Sequence, residues 1–579
     1  MINKKRTIKQ NNVIQLLLCL VIIILLNIIG SYVFTRFDLT SEKRYSLSPA
    51  TKKALRNLDD VVYFKVYLQG DFPAGFKRLR NETMEMLDEF RAYSDNIQYE
   101  FINPSSGSDK KERNSVYQLL IQRGLNPTDL QVKTKDGSNR QIIFPGALVT
   151  YKTREIPLQL LNNQIGEAPE AVLNNSIKNL EYNLISTIRK LSVVDKPKIA
   201  FIEGQGELNS GQVYDIMTAL SEYYVVDRVK INQKIYSLTR RDSLKDGKIA
   251  VVNKYKAIVI AKPDSAFDEK DKFIIDQFIM RGGKVLWLVD PVLASMDSLQ
   301  KNNESMGVAN DLKLDDQLFN YGARLNYNLV LDLNSAPIPI VTGRMGNQPQ
   351  IEFFPWYYFP VVMSSGVHPI VNNLNAVKFE FASSLDTVEA SGIKKTILLK
   401  TSKYSRIINA PANINLEICR NKPDERMFNN PNQPVAVLLE GEFQSLFTNR
   451  VPPEIMNNKL IGFKGKSVPT AMVVVSDGDV IKNQFNRSQG YPLPLGYDQD
   501  TRQTFGNKDF ILNILNYFCD DSGLLYTRTR EVQLRLLDKT KVEKQKIYWQ
   551  LTNIFLPIIL VVGFGIVQGI IRKRKFTRI

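Results

Sequence analysis

AIVIAKPDSAFDEKDKFIIDQFIMRGGKVLWLVD, Ala257 to Asp290, holds two apolar runs of strand length with a helix between them. AIVIA and VLWLV have no polar interruption, the pattern of strands buried on both faces. Between them Phe273, Ile274, Phe278 and Ile279 form one apolar stripe, and Gly282-Gly283 ends the helix. Strand, helix and strand in this order predict parallel strands joined by a crossover helix. Upstream, KIAFI (Lys198 to Ile202) precedes a glycine loop and a helix near Gln212 to Tyr223. Downstream, AMVVVSDGD (Ala471 to Asp479) and KDFILNILNYFCD (Lys508 to Asp520) resume the pattern. The prediction is a mainly parallel α/β domain over 195–526, opened by the boundary Asp195-Lys196-Pro197. After Leu331 the chain turns Pro- and aromatic-rich, with PIPIVTG and FFPWYYFPVV. Strands near Thr396 to Lys400 and Val435 to Leu439 look antiparallel or edge-like, so about 332–440 reads as an inserted β/aromatic-rich region.

Residues 35–194 read as a smaller α/β domain. Ser48 is placed to cap a helix with Pro49 at its first position, leading into the strand VVYFKVYL, Val61 to Leu68. An amphipathic helix over Phe76 to Tyr93, the strand IQYEFI (Ile97 to Ile102) and a helix near Val116 to Arg123 follow. Two strands, about Gln141 to Tyr151 and Glu155 to Leu160, and a long helix, Ala168 to Leu191, close it. This order predicts a thioredoxin-like unit; without a cysteine it has no C-x-x-C redox chemistry.

Apolar segments flank this body. VIQLLLCLVIIILLNIIGSYVF, Val13 to Phe34, carries no charge and is long enough to span a bilayer as a helix. It is longer than the apolar core of a signal peptide, and no A-x-A-like site follows, so a retained anchor is expected. Ile547 to Ile571 is the second predicted span, with Tyr548 and Trp549 at interfacial depth. A basic helical stretch, 527–546, leads into it. The tails 1–12 and 572–579 carry Lys4, Lys5, Arg6, Lys9, Arg572, Lys573, Arg574, Lys575 and Arg578 without acids. By the positive-inside rule both tails are cytoplasmic and the bulk periplasmic. These nine positive charges make up more than half of the net +17, so the rest of the chain lacks a nucleic-acid footprint. Cys19, Cys419 and Cys519 give neither a metal spacing nor a disulfide framework; whether Cys419 and Cys519 pair is open.

One loop and several acids are candidate ligand residues. Glu203-Gly204-Gln205-Gly206-Glu207 directly follows the first buried strand of the larger domain, where parallel sheets place ligands. Asp264, Asp290, Asp477 and Asp479 end neighbouring strands; in one sheet they would line one edge, as clustered oxygens for a cation or as turn and cap residues. No metal site is assigned and no cofactor is expected. Catalysis has little to work with. The single histidine, His368, stands beside Pro369, and no G-x-S-x-G elbow occurs. Gly465-Lys466-Ser467 resembles the end of a phosphate loop, but Leu460 stands where its first glycine belongs. Gly565 and Gly569 form a small-xxx-small pair in the second span, a helix-packing candidate.

The YSLSPATKKALRNLDDVV element (Tyr45 to Val62), the FIEGQGE loop (Phe201 to Glu207), RGGKVLWLVDP (Arg281 to Pro291) and NKDFILNILNYFCDDSGLL (Asn507 to Leu525) together resemble the GldG family. These are gliding-motility-associated auxiliary proteins of an ABC-type transporter in gliding members of the Bacteroidetes. The resemblance runs over essentially the whole chain. It implies a thioredoxin-like unit, an amidotransferase-like α/β domain, and partnership with a multi-span ABC permease and a cytoplasmic ATPase subunit. Gln205 stands where relatives often carry histidine, a departure that removes an imidazole from the loop. The expected function is a non-enzymatic, substrate-binding-like accessory subunit in the inner membrane. An envelope scaffold without transport is the alternative. An amidotransferase-like hydrolase fails for want of a nucleophile and base.

Overall fold

A computed structural model describes the chain except for residues 1–12, 26, 28–45, 108, 135–136, 163–167, 194, 244–248, 347, 365, 367, 521–522, 530–538 and 577–579. Residues 45–530 form one compact unit, and the terminal segments are grouped in another.

The first sheet of the large unit contains β1 (Val62–Val66), β2 (Ile97–Phe101), β3 (Gly146–Tyr151) and β4 (Arg154–Gln159) in the order β2-β1-β3-β4. β1 and β2 are parallel, while β3 runs antiparallel to both β1 and β4. Ser48 accepts from the Thr51 amide at 3.0 Å and Pro49 opens the helix Pro49–Arg56, as the sequence predicts. Phe64, Leu87, Phe90, Leu184 and Ile188 are fully or almost fully buried in this core. The long helix expected over 168–191 is two helices, Pro169–Lys178 and Leu180–Ser192, which abut at Asn179. A further hairpin pairs Thr128–Thr134 with Gly137–Ile143, so the strand expected over about Gln141 to Tyr151 is divided between the end of this hairpin and β3.

The main sheet has seven strands: β5 (Lys198–Glu203), β6 (Val225–Lys230), β7 (Ala257–Ala261), β8 (Lys284–Leu288), β9 (Ile393–Lys400), β10 (Pro434–Gly441) and β11 (Thr470–Val475). Their order is β9-β10-β11-β8-β7-β5-β6. β6, β5, β7, β8 and β11 are parallel, whereas β10 and β9 add an antiparallel edge. Two strands from the region read as inserted thus extend the main sheet. Alternate side chains leave opposite faces. Ile199, Phe201, Val259, Leu286 and Val473 pack with Ile514 and Phe518 of helix Asn507–Cys519. Ala200, Ile258, Ile260, Trp287 and Val474 pack with Phe278 of helix Glu269–Met280.

That helix departs from the stripe its sequence predicts, because every residue from Asp271 to Met280 is buried. Its outer face is covered by polar contacts. Asp276 accepts from the Tyr321 hydroxyl at 2.8 Å and the Ser445 hydroxyl at 2.7 Å, and Gln277 donates to the Lys464 carbonyl at 2.9 Å. Buried polar groups with partners of this kind do not carry the cost of lone ones.

The aromatic region forms a long hairpin, Ser335–Met345 with Gln348–Val362, whose base builds a separate core of Trp356, Tyr358, Phe359 and Phe381. Cys419 and Cys519 are buried and not joined by a disulfide.

In the terminal segments, helix Lys539–Phe576 has 38 residues and contains the stretch long and apolar enough to cross a membrane. At about 1.5 Å per residue such a helix exceeds the roughly 30 Å hydrocarbon layer, so charged ends can clear it. Of the first predicted span, Val13–Leu25 and Asn27 are helical. Residues 26 and 28–34 of that span lie outside the described residues, as do 530–538 of the predicted membrane-proximal helix; its residues 527–529 end the short 3-10 helix Leu524–Thr529, and 539–546 open Lys539–Phe576.

Candidate functional site

The chain runs from β5 to β6 on one side and then returns to β7 on the other side of β5. The carboxyl ends of β5 and β7 therefore flank a topological switch point, where open α/β sheets form a crevice. Glu203 to Glu207 leave β5 at this position, and Lys262 to Asp264 leave β7 beside them.

The two loops are joined through the backbone. The Gln205 carbonyl accepts from the amides of Asp264 at 2.9 Å and Ser265 at 3.1 Å, and the Leu208 amide donates to the Ala261 carbonyl at 3.0 Å. Gly204 and Gly206 have φ of +131° and +73°, conformations that favour glycine. At Gly206 an added Cβ would also fall 1.6 Å from Asp264 Oδ1. Gln205 is buried, and its amide donates to Asp271 at 2.8 Å in the first turn of the crossover helix. Glu207 accepts from the Gln205 backbone amide at 2.8 Å, and burial pushes its carboxyl up. Glu203 pairs with Arg228 of β6.

The acids at the other strand ends form a second group around a lysine. Lys262 Nζ lies 3.0 Å from Asp290 and in direct contact with Asp479. Asp479 also meets Lys482 at 3.3 Å. Asp477 accepts from the backbone amides of Glu380 at 2.5 Å and Asp479 at 2.7 Å, and Asp290 accepts from the Gly478 amide. A Cβ at Gly478 would fall 2.4 Å from Lys262 Cβ, so the strand ends approach too closely for a side chain there.

Burial raises Asp290, against the pull of Lys262. Burial, with Asp290 and Asp479 nearby, lifts Asp477 well above the ordinary carboxylate range. Burial also opposes ionisation of Asp479, but Lys262 and Lys482 outweigh it and hold that carboxyl low. For Lys262 the cost of burial is exceeded by Asp290 and Asp479, which hold the ammonium above its ordinary range. The lysine thus supplies positive charge inside the acidic cluster.

The switch-point loop, Asp264 and the Lys262 cluster are therefore brought to one edge of the sheet, while Asp290, Asp477 and Asp479 turn inward onto Lys262 and backbone amides. Sequence reading overlooked Lys262 and Arg228. The available signal was a lysine immediately after AIVIA and an arginine in a strand beside one ending in glutamate. His368 lies elsewhere: its Nδ1 accepts from the Ile370 amide at 3.3 Å, its ring meets Tyr517 at 5.1 Å, and burial lowers its pKa. Gly465 to Ser467 forms no phosphate cradle; the Gly465 carbonyl accepts from the Ser445 amide and the Ser467 hydroxyl accepts from the Phe443 amide. In the apolar helix, added Cβ atoms at Gly563, Gly565 and Gly569 would meet nothing within 4 Å.

Residues 41–150 match a domain of unknown function. An uncharacterized protein of Borreliella burgdorferi is 21% identical over 461 residues, covering 78% of this chain and 81% of its own. Among solved structures the mmIFT52 N-terminal domain covers 55% of this chain and 96% of its own length at 12% identity, with a TM-score of 0.28, too low to carry a fold argument. Residues 196–514, more than half of the chain and the whole of the main sheet, match the model described as ABC-type uncharacterized transport system, and the chain belongs to that auxiliary family.

Proposed function

We propose that the chain is a non-enzymatic accessory subunit of an ABC-type membrane complex serving gliding motility, with a periplasmic body and both tails in the cytoplasm. The carrying observation is the family match across the main sheet, on a chain that also has a long apolar helix bracketed by Lys541, Lys544 and Lys546 on one side and Arg572, Lys573 and Arg574 on the other. A chain with so few membrane helices and no ATPase motif depends on a multi-span permease and a cytoplasmic ATPase for transport. The GldG resemblance supports the motility assignment, and the basic tails support the orientation.

The order β2-β1-β3-β4, with β3 antiparallel to the rest, supports a thioredoxin-like first domain over 35–194 ahead of the α/β domain over 195–526. The first apolar run, 13–34, is the other membrane span in this reading. Glu203 to Glu207 with Asp264 form the ligand-facing edge, which Asp290, Asp477 and Asp479 hold together through Lys262.

Orientation is tested with an exported-phosphatase reporter. It is expected to be active when fused after Gln300 and inactive after Ile579; the reverse pattern overturns the orientation.

A further inference from the structure

A groove of about 780 Å³ opens between helix Asp315–Tyr321, the segment Arg324 to Tyr327 at the end of the short strand Ala323–Leu325, the approach to β9 and the loop Gln444 to Arg450. That volume is in the range of small-molecule sites, and none of its residues belongs to the switch-point edge. Its walls are fixed by the protein. Asp316 bridges Lys272 at 2.7 Å and Arg450 at 2.8 Å, the Tyr327 hydroxyl donates to Asp315 at 2.5 Å, and Asn320 donates to the Gln444 carbonyl at 2.8 Å. A site whose walls are already ordered loses less entropy on binding.

The inner surface contrasts with those walls. Phe319 is 54% exposed inside a concavity, with no ring partner among the described residues. The side chains of Arg324, Glu389 and Gln444 also line the groove and make no hydrogen bond or ion pair with other described residues. Asp315 and Asp316 are already engaged, which leaves one guanidinium, one carboxylate, one amide and the Ser391 hydroxyl to meet a ligand. Asp315, bonded by a neutral hydroxyl, keeps its charge, but with Lys272 and Arg450 on Asp316 the three acids and three bases at the groove balance, so neither a phosphate nor a cation is selected. Leu325 and Leu446 are only 7% and 9% exposed, so the groove offers the rings of Phe319 and Tyr327 and no row of apolar pockets for peptide side chains.

A pyranose ring fits this chemistry. One of its faces presents C–H groups that lie on an aromatic ring, and its rim carries hydroxyls that both donate and accept. We propose that the groove is a saccharide-binding site, with the sugar ring on Phe319 and its hydroxyls bonded by Arg324, Glu389 and Gln444. The site is separate from the proposed partnership with a transporter and stands without it.

The test uses the full chain in lipid nanodiscs, free of sugar-headgroup detergent, titrated calorimetrically with chitotetraose, cellotetraose, maltotetraose and tetra-alanine. At least one tetrasaccharide is expected to bind. Phe319→Ala should weaken it by about tenfold, and Phe319→Trp should retain it. Gln444→Ala is expected to weaken binding without shifting the thermal midpoint, so it decides the matter if Phe319→Ala folds poorly. Absence of saccharide binding at about 10 mM, affinity unmoved by Gln444→Ala, or preferential binding of the peptide overturns the proposal.

Discussion

The guanidinium of Arg189 donates to the carboxylate of Asp520 at 2.7 Å, across 331 residues of sequence. Arg189 stands on helix Leu180–Ser192, against the first sheet, and Asp520 ends helix Asn507–Cys519, which covers the main sheet. Asp520 is 6% exposed and also accepts from the Leu525 amide at 2.9 Å. Removing the arginine leaves a buried carboxylate short of a partner. Arg189→Ala is therefore expected to cost about 2 kcal/mol in chemical denaturation of the full chain. Lys77→Ala, which breaks an exposed pair with Asp71, should leave stability almost unchanged. Equal losses would show that the Arg189 bridge has no special place in the fold.

Lys262 is expected to matter more, because several buried acids depend on it. Lys262→Met leaves Asp290 and Asp479 facing each other without the central ammonium, a loss of about 3–5 kcal/mol. Lys482→Met removes a half-exposed partner of Asp479 alone and should cost far less. Thermal midpoints of the two variants check this, and a mild Lys262→Met phenotype would contradict the cluster's role as a lock.

Much of this sheet was legible in the sequence. AIVIA, KVLWLV and AMVVV are apolar without interruption because both faces of each strand are covered, and that pattern survives in one dimension. β6 was not found, since VVDRVK at the sheet edge mixes apolar and charged residues. The acids at strand ends could be listed, but their partners could not. Lys262 pairs with Asp479 across 217 residues, and Glu380 reaches Asp477 from the aromatic region, so only the folded chain brings them together. The expected stripe on Glu269–Met280 failed for a similar reason: Ser445 and Lys464, which cover its outer face, are distant in sequence.

Lys378 gives a pH signature. Its ammonium lies 2.9 Å from Asp498 and 3.1 Å from Glu380 in a buried setting. Burial pushes Asp498 up, but Lys378 and the Thr501 amide outweigh it, so its folded pKa is depressed. Burial pulls Lys378 down, but Glu380 and Asp498 raise it above the ordinary lysine range. The depressed acid contributes stability above about pH 4 that is lost as pH falls through its folded pKa. The raised lysine contributes below about pH 10 and loses that contribution as pH climbs through its own folded pKa. The stability lost in Lys378→Met should be largest between these limits and shrink below about pH 4. A constant difference down to about pH 2, measured by urea denaturation, would contradict the pairing.

Gly565 and Gly569, four apart on the apolar helix, share a face. Helices in lipid associate through close packing, which small residues permit. Leucine at both positions holds a neighbouring backbone away while leaving the helix apolar. Gly565→Leu with Gly569→Leu is expected to lower recovery of a permease partner in detergent several-fold, with the large unit still folded. Gly563→Leu, roughly 120–160° around the helix from the two glycines, should recover it normally. Equal recovery from the two variants would move the docking surface away from this helix.

Co-isolation from native membranes is the most direct measurement of the assignment as an accessory subunit. The full chain, tagged at its carboxyl end and extracted in mild detergent, is expected to bring down a multi-span permease and an ATPase in fixed ratio, quantified by mass spectrometry against an untagged strain. Recovery of the intact chain with envelope proteins but neither permease nor ATPase, from cells that express both, would contradict it.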